Sequence, residues 1–429
     1  MATESKLSRP QLKVLALSAL GGALEFYDFI IFVFFAKAIG QLFFPPEMPD
    51  WLRQLQTFGL FAAGYLARPL GGVILAHFGD LVGRKKMFTL SIFLMSVPTL
   101  LIGCLPTYGD WGLWAPLALL FMRILQGAAV GGEVPGAWVF VSEHAGRRHL
   151  GLACGSLTAG LVGGILLGSL MAVFINGRFG GELLTWAWRI PFLVGGLFGL
   201  FAVYLRQYLH ETPVFAELEA KRALAAELPL KLLLRGHKGQ VLLAMAVTWL
   251  LTGAVVVVIL MTPTLIQAQA GIGAVDAFSA NALATLAVML GAVLAGHLSD
   301  RLGPGPVLAA FSLLLVASYG LMMTLLPLHP GWLKPLYALA GFGVGITGVI
   351  PAIAVAAFPA PIRFTGLSFS YNLAYAIFGG FTPILVSLLV AWHPLGPLAY
   401  LGALGLMGLG LGFWLWPRGR AAEAGLTFR

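Results

Sequence analysis

Apolar blocks of membrane-spanning length govern what this chain can fold into. They fall at about 14–36, 55–77, 87–105, 113–138, 150–175 and 188–208, and again at 240–262, 279–297, 306–327, 333–357, 366–391 and 397–416. At about 1.5 Å of helix rise per residue, each crosses the hydrocarbon core of a bilayer. Composition agrees: of 429 residues 59% are apolar and only 10% charged, with a mean hydropathy of +0.91, which sets the chain apart from soluble globular proteins. The expected fold class is all-α integral membrane, with transmembrane helices in two groups of six. An N-terminal bundle covers 1–208, a cytoplasmic connector 209–239, and a C-terminal bundle with a short tail 240–429. The connector mixes Glu211, Glu217, Glu219 and Glu227 with cations such as Lys221, Arg222 and Lys231, a pattern of short amphipathic helices on the membrane surface. The first block holds Glu25 and Asp28 and has no obvious cleavage site, so it reads as a retained span and not a signal peptide.

The net charge of +9 invites a nucleic-acid partner, but the cations are sorted by loop. Lys6, Arg9 and Lys13, then Arg84, Lys85 and Lys86, then Arg147 and Arg148, the connector, Arg301, Arg363, Arg418 and Arg420 fall in alternate loops. The opposite loops hold only Lys37, Arg53, Arg178, Arg189 and Lys334. That is the positive-inside pattern, with both termini cytoplasmic. The basic charge therefore reports topology, and the lipid bilayer, not a nucleic acid, is the expected large partner. Cys104 and Cys154 lie within apolar blocks, against a disulfide framework. The histidines show no metal-ligand spacing, and neither a Walker turn nor a nucleophile elbow is present. No enzyme activity, metal or cofactor is expected.

Two turns repeat between the halves. His77-Phe-Gly-Asp80-Leu-Val-Gly83 is followed by Arg84, Lys85 and Lys86, and a weaker copy, His297-Leu-Ser-Asp300-Arg301-Leu-Gly303, lies 220 positions later. Asp80 is placed to cap a neighbouring helix or to pair with Arg84, and Gly79 and Gly83 allow tight turning. Arg148-His-Leu-Gly151 before the fifth block matches Arg363-Phe-Thr-Gly366 before the eleventh. Such internal repeats mark a duplicated membrane bundle. Glycines at helical spacing, as in Gly127/Gly131, Gly155, Gly160/Gly164/Gly168 and Gly341/Gly345, permit close helix approach. Any one pair is ordinary packing; their abundance suits helices that rock against each other.

Ionisable groups inside the blocks are the candidate functional residues, because a charge facing lipid costs roughly 2.5–3.5 kcal/mol or more. Glu25 and Asp28 share a helix face. Burial favours the protonated carboxyl and a nearby cation the ionised one, so they are candidate proton-coupling groups, against a purely structural interhelix bond. Arg123 lies near the midplane of the fourth block with Gln126 one turn along. Arg123 is the candidate for holding an anionic substrate group bidentately, with Gln126 a candidate substrate contact beside it, or for pairing with Glu25 or Asp28. Glu133, about 15 Å further along, is a gate residue or a proton relay. On the eleventh block, Asn372 and Tyr375 share a face and, with Tyr371, are candidate substrate contacts across the cavity. Interfacial anchoring is the competing role for the tyrosines.

These residues carry a resemblance. Gly79-Asp-Leu-Val-Gly-Arg-Lys-Lys86 resembles the loop 2–3 signature of the major facilitator superfamily, and Arg123-Ile-Leu-Gln-Gly127 its fourth-span motif. Leu24-Glu-Phe-Tyr-Asp28, Ala67-Arg-Pro-Leu-Gly-Gly72, Gly131-Gly-Glu133, Trp188-Arg-Ile-Pro-Phe192, Glu211-Thr-Pro-Val-Phe215 and Arg363-Phe-Thr-Gly366 are similar to motifs of its metabolite:proton symporter family. That family includes carriers for citrate, α-ketoglutarate, shikimate and proline/betaine. The resemblance implies two pseudo-symmetric bundles, a central site and alternating access driven by protons. Asp80, Gly83 and Arg84, with Asp300 and Arg301 in the second copy, would gate the cytoplasmic side, and Arg123, Glu25 and Asp28 would form the coupling centre. Three departures stand out. Gly303-Pro-Gly-Pro306 lacks the trailing basic cluster, which implies a weaker second gate. Pro135 stands where small residues are usual, which implies a kink in the fourth span. The chain ends soon after the last block without a coiled-coil tail, which argues against osmotic regulation.

The expected function is proton-coupled import of a small carboxylate-bearing metabolite, organic acid or zwitterion, by a monomer in a bacterial-type inner membrane, with the proton as coupling ion. Proton-antiporting efflux is the alternative within transport, and a non-transporting membrane sensor the alternative outside it.

Overall fold

The computed structural model describes residues 9–82, 84–131, 133–145, 149–206, 236–359 and 362–423, and every regular element among them is helical. A chain in hydrocarbon has no water to satisfy its backbone, so each span closes its own hydrogen bonds. Gly83, the bulk of the connector with its expected amphipathic helices, and the side chains of Glu25, Asp80, Arg84 and Glu133 lie outside the described residues.

The first span comprises α1 (Arg9–Phe34) and α2 (Ala36–Phe43), bent by 60° at Phe35. Then follow α3 (Asp50–Val82), α4 (Arg84–Cys104), the fourth span with α5 (Trp114–Val130) and α6 (Glu133–Ala145), α7 (Leu150–Phe179) and α8 (Ile190–Arg206). In the second half α9 (Lys238–Ala254) continues through a π-helical turn at Val255–Met261 into α10 (Thr262–Ala270). Next come α11 (Ala274–Leu302), α12 (Pro304–Leu325), and α13 (Leu333–Gly343), which tightens at Val344–Gly348 before α14 (Ile350–Ala356). The last two spans are α15 (Arg363–Ala374) with a π-helical turn at Tyr375–Gly379 and α16 (Gly380–Trp392), and α17 (Gly396–Glu423). Among the described residues nine spans are long and apolar enough to cross a membrane, and the bent first span makes a tenth.

Each half packs on itself. In the first, α1 lies against α7 and α8, α5 against α3 and α4, and α4 against α8; in the second, α11 packs on α13, α12 on α17, and α9 on α15. The halves meet along α7 with α11 and α3 with α15 and α16. The glycines explain both kinds of contact. A Cβ on Gly127 would overlap the backbone of Gly64, one on Gly160 or Gly164 would meet Ala19 or Ala23 of α1, and one on Gly341 would meet Ala284 of α11. Those approaches hold each half together. The pair Gly151 and Gly155 of α7, packed on Ala292 and Gly296 of α11, sits instead at the seam where rocking would occur, as does Gly380 of α16 against Ala62 of α3.

The kink expected in the fourth span falls next to Gly132, which lies outside the described residues; the span is apolar from Trp114 to Val139, and Gly131 keeps a helical backbone. Pro135 has no N–H, so the carbonyl four residues earlier, on Gly131, loses its helical donor. Asn372 Nδ2 of α15 supplies one instead, from the other half. Breaks in the seventh span are met the same way: Thr262 Oγ1 donates to Val257 O at 2.8 Å, and the Tyr337 hydroxyl lies 2.6 Å from Val258 O.

Replacing Gly127 with Ala is expected to lower the melting temperature of the detergent-purified protein, by an amount equivalent to roughly 1–3 kcal/mol of overpacking. Gly59→Ala, where a Cβ meets nothing within 4 Å, is expected to melt at or slightly above wild type. Equal melting temperatures for the two variants would contradict the α3–α5 contact.

Candidate functional site

Arg123 of α5 is fully buried. Its Nη1 donates to Gln126 Oε1 at 2.8 Å, and Gln126 Nε2 donates to Thr99 Oγ1 of α4 at 2.7 Å. The guanidinium stands 4.5 Å from the centre of the Phe32 ring and 5.4 Å from that of Phe61. Of the roles the sequence left open, an ion pair of Arg123 with Asp28 is not formed among the described residues, where the only ion pair is Arg53–Asp50. Gln126 is thus a positioning residue: it fixes the guanidinium and ties it to the third span.

Asp28 is also buried, and neither carboxylate oxygen has a hydrogen-bond partner among the described residues. It faces α8 and α4, inside the first half. A Cβ on Gly195 would stand 2.6 Å from Oδ1 and 3.2 Å from the Thr99 methyl, and one on Gly199 would stand 3.0 Å from Oδ2. The two glycines make room for the carboxylate. Thr99 is therefore shared, touching the Asp28 pocket with its methyl and Gln126 with its hydroxyl. Glu25 and Glu133 have only their backbone positions described, on α1 and at the start of α6.

Arg68, which sequence reasoning met only as part of a motif, lies at the centre of the seam. It is 2% exposed on α3, and its guanidinium carbon sits 5.5 Å from the ring centre of Tyr65, 5.6 Å from that of Tyr371 and 4.4 Å from that of Tyr375. Nε and Nη2 have no hydrogen-bond partner among the described residues. The rings form a chain of contacts across the halves, from Phe61 to Tyr65, Tyr375, Tyr371 and Trp138, with centroids 4.5–5.4 Å apart. Arg123 borders one end of this chain and Arg68 its middle. Tyr371 and Tyr375 are both buried here, which removes the interfacial-anchor reading. Nearby, Gly379 of the π turn brings together Thr252, Tyr375 and Tyr65, and the buried Thr252 hydroxyl has no partner among the described residues. Asn372 instead spends its amide on the Gly131 and Ser368 carbonyls, so it bridges the halves where the sequence reading had it lining a cavity.

Of the gating residues, Asp300 has a defined role: its Oδ1 accepts from Gly151 N at 2.7 Å and its Oδ2 from Leu152 N at 2.8 Å. The carboxylate of the second half thus caps the N-terminus of α7 in the first, where unsatisfied N–H groups and the helix dipole favour an anion. Arg301 is exposed, and Gly303 closes α11 at φ 87°. Among the described residues no group of three or more His, Cys, Asp or Glu could hold a metal ion.

Cys154, buried on α7 one turn from this cap, is a native reporter of it. In a Cys104→Ser background, Asp300→Ala is expected to speed alkylation of Cys154 by N-ethylmaleimide roughly tenfold, as expected for losing about 1.4 kcal/mol of closure. An unchanged labelling rate would show that Asp300 does not hold the seam shut.

Comparison with known proteins places this geometry in a family. The profile of the Major Facilitator Superfamily matches residues 19–383. A citrate-proton symporter of Klebsiella pneumoniae is 32% identical over 377 residues, covering 87% of this chain and 84% of that protein. The glycine betaine/proline/ectoine/pipecolic acid transporter OusA of Dickeya dadantii is 31% identical over 422 residues, covering 94% and 83%. The solved structure of the proton:xylose symporter XylE bound to 6-bromo-6-deoxy-D-glucose shares the fold, with a TM-score of 0.76 at 17% identity over 96% of each chain. With two six-helix bundles joined along α7–α11 and α3–α15, the chain belongs to the Major Facilitator Superfamily.

Proposed function

We propose that this protein is a secondary active transporter that imports a small carboxylate-bearing metabolite together with protons, by alternating access across a bacterial-type plasma membrane, with both termini cytoplasmic. The observation that carries the reading is Asp28, a carboxyl buried inside the first half with no hydrogen-bond partner among the described residues. Intramembrane carboxyls of this kind serve proton relays in pumps and carriers. A proton taken up there neutralises the charge, and Thr99, which borders the space beside Asp28 with its methyl and is bonded to Gln126 through its hydroxyl, passes the change to Arg123. Glu25 and Glu133 are assigned as accessory proton groups from their place in the sequence. The substrate class follows from chemistry shared by the relatives, since citrate, betaine, proline, ectoine and pipecolic acid all carry a carboxylate, which a buried guanidinium binds. A ligand then shifts the balance of inward and outward states only through its different affinity for each.

The test is uptake into proteoliposomes of labelled citrate, α-ketoglutarate, shikimate, proline and betaine, with and without an inward proton gradient. Wild type is expected to accumulate at least one compound only with the gradient. Asp28→Asn, a neutral mimic of the protonated carboxyl, is expected to lose gradient-driven accumulation yet keep exchange of that compound, and Arg123→Ala to lose both. Accumulation by Asp28→Asn at the wild-type level would remove Asp28 from coupling, and gradient-independent uptake by wild type would refute symport.

A further inference from the structure

Aromatic faces converging on one point recognise quaternary ammonium groups, and desolvated cation–π contacts are the source of that affinity. Tyr65, Tyr371 and Tyr375 converge in this way, but the cation they enclose is the protein's own Arg68, 4.4–5.6 Å from the ring centres. A ligand ammonium would find the rings taken and a fixed positive charge among them, in a setting where water does little to screen repulsion. Among the described residues no anion meets this cation. Arg68 is 2% exposed, and the two nitrogens without partners among the described residues, Nε and Nη2, form one edge of the guanidinium. Two parallel N–H bonds along such an edge match the two oxygens of a carboxylate. A buried cation left without that complement is costly, so the pocket is built around a charge that arrives with the substrate.

We infer that the substrate is an organic acid that carries no quaternary ammonium, with one carboxylate held on the Nε–Nη2 edge of Arg68 and the three tyrosines fixing that edge in place. The assignment rests on the transport reading, because the edge is reached only when the half carrying Arg68 and Tyr65 parts from the half carrying Tyr371 and Tyr375.

Binding to the full-length protein in detergent, by isothermal titration calorimetry without any proton gradient, tests it independently of coupling. Succinate, citrate and glycine betaine are the probes. Wild type is expected to bind at least one of the two carboxylic acids and to bind betaine roughly tenfold or more weakly. Arg68→Gln is expected to weaken acid binding roughly ten- to a hundredfold, as for the loss of charge-assisted hydrogen bonds. If Arg68→Gln does not fold, Arg68→Lys, which keeps a cation between the rings but not the paired N–H edge, is expected to bind the acids roughly tenfold more weakly. The inference is overturned by wild type that binds betaine as tightly as the acids, by wild type that binds neither acid at millimolar concentration, or by acid affinity unchanged in the variant that folds. Acid binding lost in the Arg68 variants alongside gradient-independent uptake by wild type would refute proton coupling and uphold this assignment.

Discussion

The Gly131 carbonyl, deprived of its helical donor by Pro135 and satisfied by Asn372 from the opposite half, shows the constraint under which the whole structure is built. Inside a bilayer a backbone polar group that leaves its helix must be met by protein, since no water is there to do it. Every interruption of a span is therefore also an attachment point. The π turn at Val255–Met261 is met by Thr262 and Tyr337, and Tyr337 in turn lies 2.6 Å from Asn281 Oδ1, whose amide donates to Ser169 of the first half at 2.8 Å. The breaks thus place polar contacts across a seam that also holds the small residues of α7 and α11 and the aromatic chain from Tyr65 to Trp138.

Buried charge obeys a harsher form of the same rule, and the structure answers it in three ways. Asp300 is only half-buried and spends its charge on the N-terminus of α7, a fixed partner. Arg123 has Gln126, a neutral side chain that orients it and ties it to Thr99 of α4. Arg68 is given aromatic faces, which stabilise a cation while leaving an N–H edge for something else. The gradation runs from structural to functional: the more completely the protein neutralises a group, the less that group has to offer a substrate or a proton.

The fold was legible because hydrophobic length is a property of contiguous residues and needs no knowledge of contacts. The turn containing Asp300 was legible in part: the repeat aligned it with Asp80, read as a helix cap or a partner of Arg84, and Asp300 takes the first of those two roles. The cage around Arg68 was not. It is assembled from α3 and the start of α16's preceding π turn, over three hundred residues apart in sequence, and no local spacing reports that juxtaposition. One signal was available: Arg68 lies within the block at 55–77 just as Arg123 lies within that at 113–138, and the reasoning that singled out the second applies equally to the first. The Asn372 contact was hidden for another reason, because Pro135 implies a kink in the fourth span but not which residue will take the carbonyl it releases.

The packing then dictates how such a molecule can move. Gly127 on Gly64 and Gly164 on α1 lock the helices of the first half at backbone distance, as Gly341 on α11 does in the second, and close-packed contacts of that kind do not slide by small degrees. Motion is left to the seam, where Gly151 and Gly155 meet α11, Asp300 meets α7, Asn372 meets Gly131, and Tyr371 and Tyr375 cover Arg68. Opening either end must break some of these while the halves stay whole. Separating Tyr371 and Tyr375 from Arg68 removes the rings that stabilise its charge, so an anion bound there is worth most in the closed arrangement, where both rings and carboxylate act on one guanidinium. A substrate that completes the cage thereby favours closure around itself, which is the differential affinity that alternating access requires.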